Sequence, residues 1–179
     1  AVFGAIFMMV GVGLDVVVYY DSVSEILVNR VVTSALLIAF AVLSGFIKSN
    51  LLARLVVHTV AMLPIASISY MIFLTEGAQS PYYAGLNLVL VGATLLLRWN
   101  TFDSAINALL CLFMFTWAVF SHSEGLSWNS AFIPSYFIFV TGAITTTATY
   151  FYNHSRFREF CLSKEVAESN KKLRHINRQ

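Results

Sequence analysis

The chain has 179 residues, a net charge of +2, 58% hydrophobic residues and only 11% charged ones. An ordinary soluble domain carries about 25% charged residues, and seven of the eleven Lys and Arg residues here lie after Tyr152. This composition excludes a charged aqueous surface around most of the chain and predicts a membrane protein.

Six apolar segments follow one another, each long enough or nearly long enough to cross a membrane as a helix. The fourth spans roughly 24 Å at 1.5 Å per residue, so it needs flanking residues to reach both interfaces. The segments lack the two-residue alternation of barrel strands, so we predict an all-α membrane protein with six transmembrane helices. The six segments are Val2 to Tyr20, Ile26 to Ile47, Leu51 to Leu74, Tyr82 to Leu97, Ser104 to Ser121 and Ala131 to Tyr152.

The distribution of basic residues predicts the orientation. Six spans place both termini on one side, and ten of the eleven Lys and Arg residues fall on that side, in the tail or in the second and fourth connections. Cytoplasmic loops are enriched in Lys and Arg, so both termini are expected in the cytoplasm. Trp99 is then expected at the inner interface and Trp128 at the outer one. We interpret Ala1 and Gln179 as trimmed edges of a longer protein.

Two charged residues lie inside the predicted spans. Asp15 lies five residues before Tyr20, and Arg30 lies four residues after Ile26, so both are expected roughly 6–8 Å below the outer boundary. A charge in hydrocarbon costs several kcal/mol unless it is paired or hydrated. We therefore predict an ion pair between Asp15 and Arg30, which either holds the first two helices together or forms part of a ligand pocket.

Further polar residues are expected at a similar depth, around the start of the fourth helix. They either line a polar cavity that opens outward, or form an interfacial tyrosine belt with one interhelical hydrogen bond. The candidate ligand-binding residues of this group are Tyr70, Glu76, Tyr82, Tyr83 and Asn87.

His58 lies within the third predicted helix. Three alternative roles are open to it, namely a proton site, a haem ligand or a packing residue. A haem-binding bundle needs a second facing histidine, and the predicted spans hold none, so no cofactor or metal is expected. The sequence also lacks a glycine-rich phosphate loop, a zinc pattern and a nucleophile elbow, so it contains no predicted catalytic residue. We interpret Gly11 and Gly13 as sites of close helix packing.

The tail after the sixth span has a periodic pattern of its own. Five residues recur with spacings of 4, 3, 4 and 3, namely Leu162, Val166, Ser169, Leu173 and Ile176. This spacing is typical of the seam of a two-stranded coiled coil, although it also fits a solvated amphipathic helix. On the first interpretation residues 1–155 form the six-helix domain, and residues 156–179 form a cytoplasmic signalling helix that makes the protein a homodimer. Arg156 and the apolar seam residues are then candidates for signal transfer.

Two short elements carry a resemblance to a known family. The fourth helix opens with YYAGL at Tyr82 to Leu86, and the sixth leaves the membrane through an arginine-rich run from Tyr150 to Phe160. With Asp15 and Arg30, these elements resemble the six-helix membrane domain of bacterial class III adenylyl cyclases, which some sensor histidine kinases and diguanylate cyclases share. That family often has an acidic residue just before the exit arginine, where Asn153 and His154 stand here.

The resemblance implies a dimeric sensor in the bacterial inner membrane whose sixth helix drives a cytoplasmic output enzyme in the same chain. A histidine kinase is slightly favoured over an adenylyl or diguanylate cyclase as the output. The expected partners are membrane lipid, a second copy and an unidentified small-molecule or lipid ligand, whereas nucleic acid is not expected. A small transporter or channel, and a membrane-embedded enzyme, are the alternatives.

Overall fold

The computed structural model describes residues 1–47, 49–97, 99–122 and 128–176, with their side chains except those of Asp21, Asn50, Trp128 and residues 172–176. None of these residues is in a β-strand, so the all-α prediction is confirmed for this part of the chain. Short 3₁₀ turns at Tyr20–Ser22 and Gly77–Gln79 join some of the helices. The α-helices are α1 (Val2–Val10), α2 (Val12–Val18), α3 (Val23–Ser44), α4 (Asn50–Leu74), α5 (Tyr83–Leu96), α6 (Thr101–Ser121) and α7 (Trp128–Ile176).

Four of the described helices are long and apolar enough to cross a membrane. They are α3, α4, α6 and the Asn129–Lys171 part of α7. The unit formed by α1 and α2, Val2–Val18, and helix α5 are apolar but shorter. The 14 residues of α5 extend for about 21 Å, which is less than the roughly 30 Å of hydrocarbon in a typical bilayer.

The first predicted span is not one continuous helix. It is interrupted at Gly11, between α1 and α2, and it ends at Val18 rather than Tyr20. A Cβ atom at Gly11 would overlap the guanidinium group of Arg30 on α3. The same guanidinium donates a hydrogen bond from Nη1 to the carbonyl oxygen of Met8, at 2.9 Å. Gly11 therefore permits the close approach of Arg30, as its packing interpretation predicted. The same interpretation was wrong for Gly13, because nothing lies within 4 Å of its Cβ position.

The N-terminal and C-terminal helices pack against different neighbours. Helix α3 packs against α1 and α4, α4 also packs against α5 and α6, and α7 packs against α5 and α6. Arg54 near the start of α4 contacts Asp103 near the start of α6, so the starts of these two helices lie at the same end of the bundle. We call this the exit end, because α7 passes it and continues beyond the other helices.

Apolar side chains fill the interior and also cover the outside of the bundle. The smaller interior cluster joins α1, α3 and α4, with Ile26, Leu37 and Met71 fully buried. Large apolar side chains are also exposed around the bundle, as expected for a surface that faces lipid. The larger interior cluster, from α4 to α7, consists of Ile65, Ile68, Ile72, Leu86, Leu90, Cys111, Phe115, Ala118, Val119 and Ile138.

Candidate functional site

The ion pair predicted between Asp15 and Arg30 is present and buried. Asp15 is 1% exposed and Arg30 is 6% exposed. Arg30 donates from Nε to Oδ2 of Asp15 at 2.5 Å and from Nη2 to Oδ1 at 2.8 Å. Two parallel bonds between a guanidinium and a carboxylate give both strength and a defined geometry. The pair joins α2 to α3 in the half of the bundle opposite the exit end.

Tyr82 completes this site from a third part of the chain. Its hydroxyl donates to Oδ1 of Asp15 at 2.7 Å, and the Arg30 guanidinium carbon lies 5.9 Å from the centre of its ring. The Tyr19 ring is also 5.5 Å from the Tyr82 ring. Tyr82 immediately precedes α5. We call Asp15, Arg30 and Tyr82 the polar triad.

The polar triad contains one positive and one negative charge, and the loss of either would destabilise it. In a medium of low dielectric constant, a satisfied polar network is rigid, whereas an unpaired polar group within it is costly. Removing either charge leaves the other buried without compensation. A ligand that took over one hydrogen bond of Asp15 would therefore change the connection between α2, α3 and the start of α5. The triad can respond to chemistry at one point by altering contacts among three helices.

The other predicted ligand-binding residues do not all join the triad. Tyr83 is half-buried and packs against the larger apolar cluster. Asn87 has a buried Oδ1 atom with no hydrogen-bond partner among the described residues. Tyr70 is half-exposed and lies near Phe73, with 6.4 Å between the ring centres, and Glu76 is exposed. The structure thus joins Tyr82 to the ion pair, while ligand binding by the group stays a prediction.

His58 belongs to a different cluster, at the exit end. Its Nε2 atom is 3.5 Å from Oδ1 of Asp103, and Arg54 donates from Nη2 to the same oxygen at 2.9 Å. The ring of His58 stacks against that of Trp99, with 5.5 Å between centres. These four residues, which we call the exit cluster, line an open recess of about 200 Å³ together with Ala53, Val57 and Asn100.

Asp103 was not predicted as a site residue, because it falls in the predicted connection just before the fifth span, which begins at Ser104. In the structure Asp103 lies in the first turn of α6 and is only 7% exposed. A signal was available in the pair Arg54 and His58. Residues four apart on a helix share one face, so two basic groups there indicated an acidic partner on a neighbouring helix.

Trp99 lies inside the bundle, whereas its level at the inner membrane interface stays a prediction. It is 6% exposed and packs with Ala61 and Ala93. Its carbonyl oxygen accepts a hydrogen bond from Nδ2 of Asn153 on α7, at 2.9 Å. The backbone before α6 is thus bonded to α7 close to the point where α7 leaves the bundle. The companion prediction, Trp128 at the outer interface, concerns a side chain outside the described ones.

A second polar connection, between α3 and α4, was also missed. Asn29 donates from Nδ2 to the carbonyl oxygen of Ser67 at 3.1 Å and to its hydroxyl oxygen at 2.9 Å. Asn29 immediately precedes Arg30 on α3. The side of α3 that faces α4 is therefore tied at the same level as the side that faces α2.

The predicted signal-transfer residues lie on the free part of α7. Arg156 is exposed, with its guanidinium carbon 5.7 Å from the centre of the Tyr152 ring. Leu162 is 57% exposed and Val166 is 60% exposed. The side chains of Leu173 and Ile176 lie outside the described ones. The helix expected here is present, and pairing along its seam stays a prediction.

Comparison with known proteins identifies the family of this bundle. The MASE8 family model, which describes membrane-associated sensor domains, matches residues 13–167. The match includes Asp15, Arg30 and Tyr82, the exit cluster and the first part of the free α7 segment. Neither the curated proteins nor the solved structures contain a match to the chain. The match covers most of the chain, which therefore belongs to the MASE8 family of membrane-associated sensor domains.

Proposed function

We propose that this chain is the sensor part of a homodimeric bacterial signalling protein, and that α7 relays a change in the membrane bundle to a cytoplasmic output module. The family supports the sensor role. The observation that carries the relay is the continuity of α7, whose 49 residues extend for about 73 Å. That length is more than twice the hydrocarbon thickness of a typical bilayer.

The two parts of α7 have different surroundings. Up to Asn153 the helix packs against α5 and α6, with Ile138, Thr145 and Thr149 buried. From His154 to Lys171 its side chains are exposed, except that of Cys161. Because one helix belongs to both regions, a rotation or shift within the bundle is transmitted along it. The triad contacts the start of α5, which packs on α7, and thereby supplies a route from the buried ion pair to the output helix.

The proposal includes six membrane crossings with the exit end in the cytoplasm. The shorter units, Val2–Val18 and α5, would cross with the help of flanking residues or a locally thinner bilayer. In the sequence, every basic residue except Arg30 falls in the tail or in the second and fourth predicted connections. This distribution supports a cytoplasmic exit end.

A second copy is proposed as the partner of the free α7 segment. Apolar side chains there, such as Phe157, Phe160, Leu162 and Val166, are more than half exposed. Such side chains in water favour association, and the 4-3 spacing of Leu162, Val166 and Ser169 suits a two-stranded coiled coil. The output is proposed to be a histidine kinase, with a nucleotide cyclase as the alternative.

An insertion series in the full-length protein tests the relay. Between one and seven residues are inserted after Ser163, and output is measured as phosphoryl transfer or cyclic nucleotide formation. One inserted residue turns the following helix by about 100°, whereas seven nearly restore its phase. Output should rise and fall through the series, and the seven-residue variant should behave like the parent. A flat response, or a steady decline with length, would show a passive tether and favour a transporter or anchor.

A further inference from the structure

Two basic side chains share one carboxylate oxygen at the exit end. Oδ1 of Asp103 accepts from Arg54 and also lies within ion-pair distance of Nε2 of His58. The Asp103 side chain is only 10% exposed, so water solvates its charge poorly. With a neutral imidazole these three side chains have no net charge, and with an imidazolium they have a net charge of +1. Histidine is the side chain that ordinarily changes charge between pH 5 and 8.

The same histidine is connected to α7 through Trp99. The imidazole and indole planes are 26° apart and stacked. Trp99 is buried and its ring is stacked on His58, so a displacement of His58 would move the indole. Its carbonyl oxygen holds the Asn153 side chain of α7. Trp99 therefore connects the titratable side chain of His58 to α7, the helix that leaves the bundle.

We infer that His58 is a proton-binding site, and that its protonation changes how the exit cluster holds α7. The proton reaches His58 from water through the open recess, since the side chain is 29% exposed. An imidazolium would donate to Asp103 and compete with Arg54. The Arg54 side chain is 62% exposed and can turn toward water. The indole face of Trp99 would also attract the new cation.

The described charged side chains that line the recess with His58 come from two helices. Helix α4 packs against α3, α5 and α6. Among the described residues that line the recess, α4 itself supplies Arg54, α6 supplies Asp103, and α3 and α5 supply none. Proton binding does not depend on the proposed function, whereas its signalling consequence does.

Trp99 fluorescence provides a direct test of proton binding. The 179-residue chain is placed in phosphatidylcholine nanodiscs with Trp117→Phe and Trp128→Phe, which leaves Trp99 as its single tryptophan. A protonated imidazole quenches a stacked indole, so fluorescence should fall along one sigmoidal curve as the pH is lowered from 8.5 to 5. The curve should be lost in His58→Gln and kept in the matched control His154→Gln. Constant fluorescence in the parent, or a curve that survives in His58→Gln, overturns the inference.

Two further variants keep the test decisive if His58→Gln does not fold, as judged by its helical circular dichroism. Asp103→Asn removes a negative charge and should move the midpoint to lower pH, because an imidazolium loses its counter-ion. Arg54→Gln removes a like charge and should move the midpoint to higher pH. Equal midpoints in the parent and both variants would show that the titrating group is not His58.

The coupling to α7 has its own readout at Cys161. A spin label on this thiol, in a Cys111→Ala background, reports the motion of α7 just beyond the bundle. Its spectrum should change with the same midpoint as Trp99 fluorescence, and Asn153→Ala should abolish that change while the fluorescence of Trp99 still depends on pH. If the fluorescence depends on pH and the spectrum of the label does not, coupling to α7 is disproved. If the spin-label spectrum depends on pH but output does not vary through the insertion series, the proposed output is refuted and the proton site is not.

Discussion

The hydroxyl of Tyr82 donates a 2.7 Å hydrogen bond to Oδ1 of Asp15, although 67 residues separate the two in the chain. The bond connects the group formed by α1, α2 and α3 to the start of α5. Helix α5 in turn packs on α7. A polar contact thus links the buried ion pair to the half of the bundle that contains α7.

Replacing Tyr82 with Phe should weaken this link without emptying the space that the ring fills. The change removes a hydrogen bond to a charged group, so we expect a loss of about 1–2 kcal/mol in the free energy of unfolding. Reversible unfolding in mixed micelles measures the loss. Tyr83→Phe is the matched control, because Tyr83 packs against the same apolar cluster as Tyr82 but is not part of the triad. If the two changes lower the free energy of unfolding equally, the Tyr82 hydroxyl makes no stabilising hydrogen bond to Asp15.

Asp15 and Arg30 should be coupled energetically. Arg30→Ala should be more harmful than the double change Asp15→Ala with Arg30→Ala, because the single change leaves a buried carboxylate unpaired. Removing one partner costs about 3–5 kcal/mol in soluble proteins. A double-mutant cycle on unfolding free energies measures the coupling. If the loss in the double variant equals the sum of the two single losses, the residues do not act as a pair.

Gly11→Ala should destabilise the bundle, since its new methyl group would meet the Arg30 guanidinium. Gly11 has a φ of −62°, so the effect is one of space and not of backbone strain. Overpacking of this kind costs about 1–3 kcal/mol. Gly13→Ala is the matched control, because nothing lies within 4 Å of its Cβ position. That control should be neutral or stabilising by up to about 1 kcal/mol. Melting in detergent compares the two, and equal stability would contradict the close approach of Arg30.

Cysteine labelling in whole cells should establish the proposed topology. In a background without Cys111 and Cys161, a cysteine at Gln79 should react with an impermeant maleimide. Cysteines at Ser49 and Ser155 should react only after the cells are permeabilised. All three positions are exposed, so lack of reaction reports the side of the membrane and not burial. Labelling of Ser49 and Ser155 without Gln79 would reverse the orientation, and labelling of only one of these two would change the number of crossings.

Much of this architecture follows from the sequence alone. The low charge and long apolar runs determine an all-helical membrane protein, because a helix satisfies its own backbone hydrogen bonds in lipid. The pair of Asp15 and Arg30 is also predictable, since each lies about one turn from the same short connection between neighbouring helices. For this pair, the depth of each residue along its helix and the short connection between the two helices are enough to predict the contact.

The remaining contacts were decided by the tertiary structure. Sequence position gives the depth of a residue along its helix, but which helices become neighbours depends on how all of them pack. Tyr82 therefore reaches Asp15 while Tyr70, predicted in the same group, is half-exposed near Phe73. Asp103 becomes buried beside Arg54 and His58 only because α4 and α6 pack together. The break at Gly11 has the same origin, since the space that it leaves is filled by a side chain from another helix.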